Sequence, residues 1–316
     1  MKTQEKMTVT VIVYTFNSSK YILETLDSIK KQTYKDLMLI ITDDCSTDST
    51  IEICKKWLDL NGDRFVKTKI ITSEKNTGIS GNANRGWNAC ETEYAKDIAG
   101  DDFLLPNCIQ DNVDYIKNHP QSVVVFSKIK PFVDFGRWRR WVNHSLHNYD
   151  FFTLSLQEQY EHLIYKGNDI PAASCVYNIK KLREIGFMHD ERIPLLEDYP
   201  KWIILIKNGI KFDFFDAYTV GYRIRRSSLS GNVFSPTFFK SNLLLYLYYY
   251  QDEIKKEEDR DRVYNLMSDQ VIRFYSRTYN YAKNKNQSLD YKLGYFLLSP
   301  LHFCKFVWRM LHDRLV

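Results

Sequence analysis

The strongest constraint in the 316-residue sequence is an alternation, in its N-terminal third, of unbroken apolar runs with amphipathic segments. Residues 8–14 (TVTVIVY) and 37–42 (LMLIIT) are rich in β-branched residues and show no polar alternation, as expected of strands buried on both faces. Between them, residues 21–30 place Ile22, Leu26 and Ile29 on one helical face. A second helical stretch covers residues 50–58, with Ser49 or Thr50 available as its cap, and Lys67–Thr72 forms a third strand. Buried strands in a β-α-β-α-β order must run parallel and be joined by crossover helices. The expected fold class is therefore α/β: a Rossmann-like, mostly parallel sheet with helices on both faces.

Further along, residues 76–84 read as a Gly- and Asn-rich loop leading into a helix at 84–91. Tyr94–Ala99 reads as a strand that ends in Gly100-Asp101-Asp102, and residues 106–118 as a helix. A strand is expected at 122–127, an irregular aromatic stretch at 128–166, a strand at 170–177, a short helix at 182–185 and a helix from Pro200 to Lys207. Phe212–Arg223 reads as extended chain, and from Phe234 the sequence turns helical and tyrosine-rich. The expected division is an α/β domain over 1–231 and a helical, membrane-associating region over 232–316. Open α/β sheets bind ligands beyond the carboxyl ends of their strands. Residues 14–17, 42–44 and 100–102 all lie at such ends, so they should converge.

Charge and cysteine usage exclude several classes. A net charge of +5 is too small for a dedicated nucleic-acid footprint, and no nucleic-acid motif is present, so no nucleic-acid partner is expected. The arginine-aromatic run RWRRW at 137–141 is the feature that keeps a membrane- or nucleic-acid-binding alternative open. The six cysteines form no C-x-x-C pair or zinc-like cluster and read as scattered buried thiols of a reducing compartment. The N-terminus lacks a signal-peptide pattern and no apolar run is long enough to span a bilayer, so a cytoplasmic location is expected.

The chemistry rests on three blocks. VTVIVYTFNSSKYILETLDSIKKQTYKDLMLIITDDCSTDST gives an apolar strand, a P-T-Y-N-like turn, an S-I-x-x-Q-T segment and a strand ending D-D-x-S-x-D. NTGISGNANRGWNACETEYAKDIAGDDFLLPN and LLEDYPKWIILIKNG follow in order. Read alone, Asp43, Asp44 and Asp48 are an Asx-rich turn capping the next helix, Asp102 is a helix cap, and Glu197 and Asp198 are first-turn acids favoured by the helix dipole. In this order and combination, the blocks resemble family-2 glycosyltransferases of the GT-A fold, of bacterial surface-polysaccharide type, over residues 8–230.

The resemblance implies inverting transfer of one sugar from a nucleotide-diphospho sugar, a UDP-sugar, to a glycan or lipid-linked acceptor. Thr15 and Asn17 would lie under the nucleotide. Asp44 would hydrogen-bond the uracil, and Asp43 would shape its turn. Gly100 and Asp101 open the metal region, where Asp101 and Asp102 are the candidates to hold Mn2+ or Mg2+. Asp198 is favoured as the base that deprotonates the acceptor, with Glu197 orienting the site. Arg223, Arg225 and Arg226 offer positive charge to the diphosphate. Two departures stand out. The first acidic position of the family's D-x-D falls on Ala99, which shifts the ion onto diphosphate and water and leaves a catalytically weakened relative as an alternative. The family's A-R-N-x-G arginine falls on Ala83, with Arg85 the substitute if its helix does not aim it elsewhere. The sequence lacks the Q-x-x-R-W pattern of processive synthases, hence one sugar per event. A nucleotidyltransferase is disfavoured because residues 14–19 contain no glycine.

Near the C-terminus, Phe303, Phe306, Val307, Met310 and Leu311 share one helical face, with Lys305, Arg309 and His312 on another. That pattern suits an interfacial helix on the inner face of a bacterial membrane. It equally suits a terminal helix packed on its neighbours.

Overall fold

The computed structural model describes residues 7–135, 138–142, 147–225, 236–245 and 248–249. The C-terminal amphipathic segment, Arg226, Arg137 and Cys304 lie outside the described residues. Two compact units divide the chain: residues up to Arg192 together with Glu197–Arg225, and Ile193–Leu196 together with the residues from Arg226 onward. In the second unit, a helix spans Pro236–Leu245, and its Ser241 hydroxyl accepts a hydrogen bond from Leu195 N at 3.0 Å. No helix among the described residues is long and apolar enough to cross a membrane.

The first unit is built on the strands the sequence marks most clearly. β1 (Val9–Thr15) pairs in parallel with β2 (Leu37–Asp43) on one side and with β4 (Tyr94–Ala99) on the other. β3 (Lys67–Thr72) pairs in parallel with β2 at the sheet edge. Every β2 residue is buried, and β1 is buried apart from Tyr14. α1 (Ile22–Lys30), α2 (Thr50–Asn61) and α4 (Cys108–Asn118) bury their apolar faces with Val9, Val11 and Val13 on one side of the sheet. α3 (Gly78–Ala89) lies against Ile12, Tyr14 and Thr42 on the other. The α/β class with helices on both faces is thus borne out.

Beyond β4 the sheet becomes mixed. Its order is β3-β2-β1-β4-β8-β6-β9-β5, with β5 at Phe103–Leu104, β6 at Val124–Phe135, β8 at Val176–Asn178 and β9 at Phe212–Arg223. β8 runs antiparallel to both β4 and β6, whereas β6 and β9 are parallel. β7 (Trp138–Trp141) folds back antiparallel on β6. The segment expected to be irregular therefore contains a long strand, a hairpin partner and α5 (Leu156–Tyr165). Ser155 starts α5 with a capping box, exchanging hydrogen bonds with Glu158. The strand expected at 170–177 shortens to β8, preceded by a 3-10 turn at Ala172–Ser174. α6 (Ile179–Glu184) and α7 (Asp198–Lys207) complete the unit.

α3 gives the clearest departure from the sequence reading. Residues 76–84 look like a loop because Gly and Asn disfavour helices, yet the helix starts at Gly78. Its glycines and asparagines serve close packing rather than flexibility. A Cβ on Gly86 would lie 2.6 Å from Ile12 Cγ2 and 3.1 Å from Thr42 Cγ2. Asn82 Nδ2 donates to the carbonyls of Thr42 at 3.2 Å and Thr15 at 3.3 Å. The helix thus approaches the sheet too closely for larger side chains and binds its buried strand-end carbonyls.

Gly86→Ala should therefore destabilise the protein by about 1–3 kcal/mol, the usual cost of overpacking. In a domain of this size that lowers Tm by about 2–4 °C per kcal/mol. Thermal unfolding followed by circular dichroism checks it, and an unchanged Tm would contradict the close packing described.

Candidate active site

The chain order 3-2-1-4 in the parallel half puts a topological switch between β1 and β4, and the strand ends there build the first part of the site. Thr15 and Asp43 are register partners, and Thr15 Oγ1 donates to Asp43 Oδ2 at 2.7 Å. Asp43 Oδ1 also accepts from Ser46 N at 2.8 Å, closing the turn after β2. Asn17 sits at φ 48°, a left-handed conformation that asparagine tolerates. Its Oδ1 accepts from Thr47 N at 2.9 Å, and its own N–H donates to Ser46 Oγ at 2.8 Å. The turns after β1 and β2 are thereby locked together.

Asp44 does more than a turn residue would. It is buried, and its Oδ1 accepts from Thr77 Oγ1 at 2.7 Å and Thr77 N at 2.9 Å, while Oδ2 accepts from Gly78 N at 2.8 Å. Thr77 makes no side-chain cap for α3. Asp44, from another element, therefore caps that helix and faces the positive end of its dipole. Arg85 Nη2 completes the shell at 2.7 Å from Oδ1. The α3 helix aims Arg85 at this carboxylate, so Arg85 does occupy the site. Burial alone would raise the Asp44 carboxyl, but hydrogen bonds from Thr77, Arg85 and Gly78 outweigh it and hold it below its ordinary value.

Gly100 joins this cradle to the next part. Its N–H donates to Tyr14 O at 2.9 Å, and a Cβ there would lie 3.0 Å from Thr15 Cγ2. Asp101 follows with its carboxylate partly exposed and ion-paired to Arg225. Asp102 turns inward. It is buried, its Oδ1 accepts from Arg223 N at 2.7 Å, and its carbonyl accepts from Thr25 Oγ1 at 2.6 Å. Burial, reinforced by the charge of Asp101, pushes its carboxyl well above the ordinary value. Arg223 is likewise internal. Nε donates to Asp101 O at 2.7 Å, and the guanidinium pairs with Glu24 and Asp134. The structure thus places Arg223 behind the Asp101–Asp102 turn, as its support, with Arg225 the described arginine on the open side.

A divalent cation fits this corner only through Asp101. Mg2+ and Mn2+ sites can use one carboxylate together with substrate phosphates and water. The described residues contain no group of three or more His, Cys, Asp or Glu that could hold an ion unaided.

Glu197 and Asp198 form the third part, at the start of α7. Asn168 Nδ2 donates to Asp198 Oδ2 at 2.8 Å. Burial, with Asp198's charge adding to it, pushes the Glu197 carboxyl up to about 7. Lys201 and Asp97 act on Glu197 in opposite senses, and Tyr14 Oη donates to Asp97 Oδ2 at 3.3 Å, so β1 reaches this part as well. The sequence reading missed Asn82, Thr77, Asn168 and Asp97. Asn82 carried the one available signal, a buried-type run N-A-N-R-G in which asparagine is costly unless bonded. Five described cysteines are free thiols, and four of them are buried.

The family model of glycosyl transferase family 2 matches residues 10–186. An uncharacterized glycosyltransferase of Methanocaldococcus jannaschii is 26% identical over 221 residues, 70% of this chain and 72% of that protein. The Escherichia coli protein named UDP-Glc:alpha-D-GlcNAc-diphosphoundecaprenol beta-1,3-glucosyltransferase WfaP is 23% identical over 238 residues, 75% of this chain and 85% of its own. The crystal structure of S. aureus TarS 1-349 in complex with UDP-GlcNAc gives a TM-score of 0.58 at 20% identity, covering 94% of this chain and 83% of that one, a likeness of fold.

A carboxyl held low in the folded state adds stability that is present above its unfolded pKa, near 3.9, and lost as pH falls through the folded value. Wild type should therefore lose Tm steeply below about pH 4. Asp44→Asn should be less stable at pH 7 by about 1–3 kcal/mol, because the α3 amides lose a charged acceptor, and its Tm should fall less over the acid range. Thermal melts from pH 7 to pH 3 check both. Parallel curves would remove Asp44 from the acid limb.

Proposed function

The chain belongs to glycosyl transferase family 2, and from that membership we propose that it transfers a single sugar from a UDP-sugar to a glycan or lipid-linked acceptor in surface-polysaccharide synthesis, inverting the anomeric carbon. The observation that carries the proposal is the close approach of Gly100 to the end of β1, where its N–H bonds Tyr14 O and an added Cβ would lie 3.0 Å from Thr15 Cγ2. Asp101 follows it, so a nucleotide held by Thr15, Asn17, Asp43 and Asp44 would have its diphosphate beside Asp101. The names of relatives support the donor and acceptor classes: WfaP acts from UDP-Glc on a diphosphoundecaprenol-linked sugar, and TarS has been captured with UDP-GlcNAc.

In this reading the uracil N–H meets Asp44 Oδ2, the oxygen that carries fewer in-chain donors. Asp198 accepts the proton of the acceptor hydroxyl. That oxygen attacks the anomeric carbon as the bond to the diphosphate oxygen breaks, and the nucleoside diphosphate leaves on the opposite face. Asn168 keeps the Asp198 carboxylate oriented, and Glu197 supplies a neighbouring acid that exchanges its proton near neutrality. Asp101 would hold Mn2+ or Mg2+, which when bound neutralises charge on the diphosphate. A cytoplasmic setting, with the C-terminal segment on the inner membrane surface, would bring the site to a lipid-linked acceptor.

Asp198→Asn should lower kcat by about a hundredfold to ten-thousandfold with donor affinity nearly unchanged. Product analysis by NMR should show the anomeric configuration opposite to the donor's, and a retained configuration would overturn direct displacement. Asp101→Ala should cost about a hundredfold or more in rate and abolish stimulation by Mn2+. Near wild-type turnover at saturating UDP-sugar would dismiss the metal assignment.

A further inference from the structure

Two arginines stand at the Asp101–Asp102 turn, and they are held very differently. Arg223 is 3% exposed at its side chain and pairs with Glu24 and Asp134, while its Nε holds the Asp101 carbonyl. Its guanidinium also lies 4.4 Å from the centre of the Tyr21 ring. Arg225 is 33% exposed, its guanidinium lies 5.2 Å from the same ring, and its described ion pair is with the Asp101 carboxylate. Its Nε is buried yet has no hydrogen-bond partner among the described residues. An unsatisfied buried donor is costly, so Arg225 gains more than Arg223 from an incoming acceptor. Asp101, in turn, is the carboxylate at this turn with an exposed edge, and a guanidinium already occupies it. Arg225 Nη2 is paired with Asp101 Oδ2, so the guanidinium and a divalent cation would compete for this carboxylate.

We propose that Arg225 is a latch on Asp101 that the donor's diphosphate opens. Without donor, the guanidinium closes the carboxylate to divalent cations. The diphosphate offers the guanidinium a pair of phosphate oxygens in the geometry it prefers, and Arg225 leaves Asp101 for them. The freed carboxylate then takes the cation. Donor and cation are thereby positively coupled through one side chain, and by linkage each must tighten the other equally. The inference rests on the proposal that Asp101 is the metal carboxylate. It adds that the donor-free site is shut by a residue of the chain itself. Arg225 is thus a positioning residue in the donor-free protein and a diphosphate contact in the loaded one.

The test is Mn2+ binding to the full chain, read from the free-ion electron paramagnetic resonance signal and without turnover. Wild type, Arg225→Gln, Arg225→Lys and Asp101→Asn are compared, first alone and then with UDP after correction for Mn2+ bound by UDP itself. In donor-free protein, Arg225→Gln should bind Mn2+ about fivefold more tightly than wild type, the equivalent of losing a competing ion pair of about 1 kcal/mol at about 1.4 kcal/mol per tenfold. Arg225→Lys should fall between them. The tightening of Mn2+ by UDP should be largest in wild type and shrink in Arg225→Gln. Binding of UDP in EDTA should weaken in Arg225→Gln, a readout that a merely structural role would leave unchanged. If Asp101→Asn loses Mn2+ but Arg225→Gln gains nothing, the latch is overturned while the metal assignment stands. If Asp101→Asn binds Mn2+ like wild type, the metal assignment fails, and the latch with it.

Discussion

The parallel half of the site depends on one carboxylate. Asp44 leaves the end of β2 and supplies the acceptors that the first N–H groups of α3 lack. α3 carries few large apolar side chains on its buried face, which is formed by Ser80, Gly81, Asn82, Ala83, Asn84, Gly86 and Trp87. Hydrophobic burial alone is therefore a weak anchor for it. The helix is held instead by polar contacts at defined points: Asp44 at its start, Asn82 on the carbonyls of β1 and β2, and Asn84 on His189 and Glu191. Asp44, Asn82 and Asn84 meet these partners only in one position, so the helix has a single register on the sheet. Arg85 reaches Asp44 because that register is fixed.

The second half depends on internal ion pairs. Arg223 gathers β9, α1 and β6 through Asp101, Asp102, Glu24 and Asp134, and Arg139 of β7 bridges Asp134 and Glu24 from the hairpin. Arg223 is the buried member of this cluster and its carboxylate partners are partly exposed, so removing those partners would leave the one buried charge unpaired, the costly case. A loop between β4 and β5 would otherwise be free to move, yet this cluster fixes the peptide on which Asp101 stands. The position of Asp101 is therefore set from behind, by residues on the far side of its turn.

Much of the parallel half was legible in the sequence because burial on both faces leaves an unmistakable apolar run, as in LMLIIT. The strand-end acids at 43–44 and 101–102 followed from the same strands. What misled was chemistry that serves packing while resembling a break. Gly78, Gly81 and Asn82 read as a loop, but the first starts a helix, the second gives close approach and the third bonds strand ends. The first residues of β6 were legible as a strand, but its continuation beyond residue 127 and β7 were missed because their alternation is masked by residues facing two environments: Phe132 and Trp141 pack inward beside Phe103, while Trp138 is 81% exposed. The roles of Arg223 and Arg225 could not be separated from sequence, since residues two apart on a strand end take opposite fates only through their partners.

Charge balance links these features to catalysis. At the Asp101 corner, three carboxylates (Glu24, Asp134 and Asp101) pair with the guanidiniums of Arg139, Arg223 and Arg225, while Asp102 accepts from the Arg223 backbone N–H. The paired groups are thus three carboxylates against three guanidiniums, and burial raises the Asp102 carboxyl behind them. The corner is therefore close to neutral, and a diphosphate would bring about two extra negative charges to it. Arginine exchange alone cannot supply the difference, because every guanidinium that turns to phosphate abandons a carboxylate. The balance is restored only if positive charge arrives with the donor. Under the proposed function, a divalent cation would bring that charge to the carboxylate that the exchange would set free. On the proposed function, a site with Ala99 in place of the family's first acid would still suit metal-assisted departure of the nucleotide, because the ion would be recruited by the charge of the loaded donor more than by an all-protein cage.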